Sequence, residues 1–160
     1  MAVGGGNCRM YFTIVVALML VLPLTSIGIQ IVLGGPGMLT AALVAKWFVF
    51  WMVGVRLFLA GLRQIVQPRY TAEHILGVKD PDATLIVREL GIANTAIGSV
   101  AAASLFFRDW EFPIALVGTI FYALAGMNHV TGRHRNELQS FAMASDLFAA
   151  AILLMSCLAL

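Results

Sequence analysis

At 160 residues, with 61% hydrophobic and only 11% charged residues, the chain belongs in a bilayer rather than in water, since soluble domains carry about 25% charged residues. A net charge of +2, with no basic stripe interleaved with aromatics, excludes nucleic acid as a partner. Mean hydropathy is +0.93, and five spans within 160 residues leave no length for a separate soluble domain, so residues 1–160 read as one all-α, polytopic membrane domain.

Five apolar stretches follow in chain order, each near the ~20 residues that a crossing needs. The first runs from about Tyr11 to Leu33 and stops at the Gly34-Gly35-Pro36-Gly37 turn. Its apolar run is about 20 residues, longer than the roughly 7–15 of a signal-peptide core, so it reads as an uncleaved anchor. Cys8 precedes it and, with no apolar segment before it, is not read as a lipoprotein acceptor. The second stretch covers about Leu39 to Ile65 and carries Lys46, Trp47, Phe48, Phe50 and Trp51 near one end, an aromatic belt for an interface. The longest connection, Gln67 to Thr84, is the only segment of soluble character. Within it Thr71 to Gly77 reads as a short amphipathic surface helix, capped by Thr71 and ended by Gly77. The third stretch spans about Leu85 to Phe106 and the fourth about Phe112 to Val130. Only Arg108-Asp109-Trp110-Glu111 separates them, which predicts a tight antiparallel hairpin with Trp110 at the interface. The fifth stretch covers about Leu138 to Leu160.

Lys and Arg orient these spans. Arg9, Arg63, Arg69, Lys79, Arg88, Arg133 and Arg135 fall on one side, Lys46 and Arg108 on the other. Seven against two places the N-terminus in the cytoplasm and the C-terminus outside. Cys8 and Cys157 then lie on opposite faces, too far apart for a disulfide.

Polar residues inside the stretches converge under that topology. With a rise of roughly 1.5 Å per residue, Arg56 lies about 10 Å from the cytoplasmic end, Asn94 about 9 Å in and Asp146 roughly 13 Å in, while Glu89, Asn128 and His129 lie near the inner boundary. Helical spacing places them on small-residue faces: Ala142, Asp146 and Ala149; Gly91, Asn94 and Gly98; Gly118, Tyr122, Ala125 and His129. Such faces let membrane helices approach closely, so the polar groups face the bundle interior. A second small face on the third stretch, Glu89, Ala93, Ala96 and Ala103, suggests that this span is central, or that it meets another protomer. The first stretch is expected on the periphery.

Two roles stand for the cluster of Arg56, Glu89, Asn94, Asn128, His129 and Asp146. One is structural: Arg56 needs a carboxylate, and by depth Asp146 suits it better than Glu89, which can be solvated. The other is a proton or ligand site open to the cytoplasm, since ionisable groups at membrane depth tend to be functional. Metal or haem ligation by His129 would need a partner at the same depth, and His74 and His134 lie in connections. No metal site and no catalytic residue is therefore assigned. Gly4-Gly5-Gly6 follows no strand, and the hydrolase and zinc-protease signatures are absent.

Four segments carry a resemblance: KWFVFWMVGVRLFLAGLRQI, RELGIAN with the following Ile97-Gly98, FYALAGMNHV and ASDLFA. Over roughly residues 40–150 they resemble a family of small bacterial inner-membrane proteins without assigned function. More loosely, the Arg-Leu…Ala-Gly helix followed by an Arg-Glu-Leu-Gly helix is similar to the DoxX-like proteins, compact four-helix membrane bundles. That resemblance implies a four-helix bundle from spans two to five, preceded by an additional span. It matches Arg56, Glu89 and His129 to recurrent polar positions, and it implies work as a membrane subunit of a quinone-linked or redox-stress complex. Two functions follow as expectations. One is a non-enzymatic subunit or interaction component of a membrane assembly, alone with the lipid bilayer or joined to other membrane proteins or further copies of itself. The other is a component of electron or proton transfer that binds quinone, lipid or a similar apolar ligand near Arg56 and Asp146. The sequence requires no cofactor.

Overall fold

The computed structural model describes residues 5–131 and 137–160, with side chains from Arg9 to Val130 and from Glu137 onward. Arg133, His134 and Arg135 and the side chain of Cys8 lie outside the described residues. Every regular element described is a helix, and five are long and apolar enough to cross a membrane. These are α1 (Arg9–Gly34), α2 (Ala41–Val66), α3 (Ala83–Ala103), α4 (Arg108–Val130) and α5 (Glu137–Ala159). The chain is an all-α, multi-pass membrane protein.

Local chemistry sets the helix ends. α1 stops where Gly35 takes φ +86°, a conformation glycine enters without steric cost, and Pro36 follows. α2 begins at Thr40, whose hydroxyl accepts the Leu43 amide at 3.1 Å and satisfies a donor the first turn leaves unpaired. α3 ends at Ala103 and not at Phe106, because Ser104 turns the chain and donates its hydroxyl to the Ala101 carbonyl at 2.7 Å. In the long connection the helix starts at Pro68, before the expected Thr71. Proline is pre-organised for a first helical turn, so Thr71 lies inside the element and is buried rather than capping it. Gly77, at φ +73°, ends the segment.

The central helix is α2, not α3. It packs along α3, on α5 through its first turns, on α4 through its middle and on α1. α3 packs closely on α2 and little on α4 or α5, so the expected α3–α4 hairpin is loose. Glycine decides this. Gly54 and Gly61 of α2 face Gly91 and Gly98 of α3; a Cβ at Gly98 would stand 2.5 Å from the Phe58 amide nitrogen and 2.8 Å from the Gly54 carbonyl oxygen. Backbone touches backbone along this seam, the contact that small residues permit in membranes. The other small face of α3 stays outward: Glu89, Ala93 and Ala96 are exposed. α4 and α5 form the second tight pair, with Gly126 against Leu147 and Gly118 against Leu153 and Val53.

α1 is fastened rather than merely peripheral. Gln30 Oε1 accepts from Lys46 Nζ at 3.0 Å and Trp47 Nε1 at 2.9 Å, and Ser26 Oγ accepts from Trp51 Nε1 at 3.0 Å. At its other end Tyr11 and Phe12 pack edge-on against Phe141 of α5. Two of the expected interfacial aromatics, Trp47 and Trp51, thus join helices through their indole N–H groups. Trp110 is exposed and stacks on Phe107 at 4.7 Å.

These contacts produce a wedge. The α2–α3 and α4–α5 pairs meet through the first half of α2, whereas Arg56–Val66 of α2 packs closely on α3 but not on α4 or α5. The pairs therefore separate toward the end that carries residues 67–82.

Candidate functional site

The wedge holds a half-open cavity of about 670 Å³, walled by all five spans and floored by Tyr70, Thr71, Ile75 and Leu76 of the long connection. Arg56 stands where the pairs begin to diverge. It follows a stretch of wide, π-type turns over Val49–Val55, a geometry frequent at functional sites. Wide turns leave carbonyls poorly paired, and Tyr122 of α4 donates its hydroxyl to the Met52 carbonyl. The same ring lies under the Arg56 guanidinium, 4.8 Å from centroid to Cζ, close enough for a cation–π contact.

The ion pair expected from depth forms. Arg56 Nη2 donates to Asp146 Oδ1 at 2.7 Å and to Ser145 Oγ at 3.0 Å, and both charged side chains are 11% exposed. Ser145 in turn donates to the Ala142 carbonyl at 2.9 Å. The pair crosses from α2 to α5 and ties the two halves of the bundle where their direct packing ends. The Nη1 atom of Arg56 is buried and has no hydrogen-bond partner among the described residues. An arginine cannot shed its proton to relieve such a deficit.

Five of the six expected cluster residues line the cavity: Arg56, Asn94, Asn128, His129 and Asp146. Glu89 does not; it is exposed on the outward face of α3. The reason is angular, because Glu89 lies off the Gly91–Gly98 face that α2 covers. Asn94, 3% exposed, donates to Gln64 Oε1 at 2.8 Å, and its own Oδ1 is without a partner among the described residues.

Sequence reading missed Tyr11, Gln64, Tyr70 and Thr71 as lining residues. Gln64 shares a helical face with Arg56 and Ala60 at spacings of four, a signal that was available. The others required knowing how α1 and the connection fold back. Arg63 guards the floor with its guanidinium 3.8 Å from the Tyr70 ring centroid, and Tyr70 stacks on His74 at 5.0 Å. Cys157 is free, with Sγ 3.8 Å from Thr119 Oγ1.

Chemically, the cavity is a largely apolar chamber with one neutralised ion pair, a second guanidinium (Arg63), three amides (Gln64, Asn94 and Asn128) and an imidazole on its walls. Few polar groups placed in a largely apolar pocket of this size orient a small ligand. No protein-family model, no curated protein and no solved structure matches the chain.

Proposed function

We propose that this protein binds an apolar, membrane-soluble ligand in the wedge cavity, with the ligand's polar part against Arg56, Asp146 and Asn94. One observation carries this reading: the ion pair lies on the wall of a chamber of about 670 Å³, whereas a purely structural pair would be enclosed by packed side chains. Quinones and neutral lipids are the ligand classes with this chemistry, in keeping with the DoxX-like resemblance, and a role in electron or proton transfer would follow from a quinone. On the resemblance the membrane is a bacterial inner membrane, and the positive-residue bias puts the end carrying residues 67–82 in the cytoplasm.

The test is purification in a mild detergent followed by lipid extraction, mass spectrometry and absorbance. A quinone or neutral lipid enriched over its abundance in the membrane, and depleted in Asp146→Asn, is the expected result. Lipid in proportion to bulk composition in both proteins would overturn the reading.

A second reading, as a subunit of a larger membrane assembly, is favoured by the outward face of α3, where Glu89, Ala93 and Ala96 are exposed. Native mass spectrometry from membranes tests it, and a monomer alone would count against it.

A further inference from the structure

We infer that the ligand enters the cavity sideways from the lipid, between α3 and α4, and that it is a single-chain amphiphile with a small uncharged hydrogen-bonding head; this rests on the ligand-binding reading above.

The route follows from packing. α3 and α4 are neighbours in sequence yet make few contacts, because the glycine faces of each are spent on α2 and on α5 respectively. Along the gap, Leu90 and Asn94 of α3 and Leu124 and Asn128 of α4 all line the cavity. Leu90 and Leu124 are also 36% and 62% exposed. Residues that line an interior chamber and are open to the outside define a portal, and this one lies within the membrane-spanning segments. The α1–α2 flank also has apolar lining residues open to the outside, Ile14 and Leu59, at 43% and 48% exposure. The α3–α4 gap differs in carrying amides beside its leucines, Asn94 and Asn128, which can meet a polar head as it enters, and the floor is held by the Arg63–Tyr70 contact.

The ligand class follows from charge and solvent. A hydrocarbon chain gains little on moving from lipid into an apolar chamber, since lipid tails are as apolar as leucine. Selection therefore falls to the head. The Arg56 charge is already met by Asp146 at 2.7 Å, and Arg63, the other cation lining the cavity, lies over the Tyr70 ring at the floor, about two helical turns further along. A further charge beside the Arg56–Asp146 pair would be uncompensated, whereas a hydroxyl or carbonyl can pair with the polar groups of Arg56 and Asn94. The cavity, about 670 Å³, has room for one long hydrocarbon chain and not for two.

The experiment uses the full-length protein in phosphatidylcholine vesicles with a hexadecanol analogue carrying a mid-chain diazirine. After photolysis, insertion sites are mapped by mass spectrometry with and without excess unlabelled hexadecanol. Competable insertion is expected around Leu90 and Leu124, falling in proportion to the excess of unlabelled hexadecanol over the probe. Insertion at the outward residues Val32 and Leu158, which are 83% and 77% exposed, should not respond to it. Leu124→Trp should abolish the competable insertion and Leu124→Ala should retain it, which separates a blocked portal from a disturbed fold. Palmitate should compete far more weakly than hexadecanol; equal competition would overturn the uncharged-head assignment. Competable insertion confined to the α1 flank or to residues 70–76 would overturn the portal and leave the binding reading standing. Absence of competable insertion anywhere would overturn both.

Discussion

Arg56 concentrates most of the chemistry of this protein in one side chain. It holds Asp146 and Ser145 across the bundle, lies over Tyr122 and faces the cavity. Removing one member of a buried pair costs about 3–5 kcal/mol in soluble proteins, because the other charge is stranded. Arg56→Ala and Asp146→Ala are each expected to lower thermal stability in detergent by an amount of that order. The double substitution should lose less than the sum, and strictly additive losses would show that the two do not couple. Tyr122 supplies a second case. Its hydroxyl satisfies the Met52 carbonyl within the wide turns, so Tyr122→Phe should cost about 1–3 kcal/mol, the penalty of one buried unpaired acceptor. A stability change within error of zero would mean that the wide-turn segment satisfies itself.

Among the elements, the α2–α3 seam is the least forgiving. At Gly98 an added methyl meets backbone atoms of α2, which cannot rotate away as a side chain would. Overpacking of this kind costs about 1–3 kcal/mol. Gly98→Ala is therefore expected to destabilise the protein and to push α3 from α2, while Gly28→Ala, which meets nothing within 4 Å, should be neutral. Equal melting temperatures for the two variants would contradict a backbone-to-backbone seam. α1 contributes differently, through two indole N–H bonds at one end and ring contacts at the other. That arrangement braces the bundle while leaving the cavity between its supports.

For the whole molecule, the division into two helix pairs matters more than the number of spans. Pairs that meet in one half and diverge in the other create a chamber without any helix breaking inside it. The direction of that chamber in the membrane rests on charge. A C-terminal reporter active only in the cytoplasm should stay dark, and a bright signal would invert the assignment of the residue 67–82 end.

Span number, approximate span limits and the level of Arg56 and Asp146 along their helices were legible in the sequence, because each follows from hydropathy and from a fixed rise per residue along one helix. The Arg56–Asp146 pair was legible for the same reason: two opposite charges at similar depth in hydrocarbon have few alternatives to meeting. Whether Glu89 joined them was a question of azimuth, and a single small-residue face cannot say which neighbour covers it. α3 carried two such faces, and the sequence favoured a central position for it. Only the tertiary structure showed that α2 takes one of them with its own glycines and that the other stays outward. The cavity belongs to the same class. A void is a property of how helices diverge, set by contacts between residues distant in sequence, and no local pattern records the space that they leave empty.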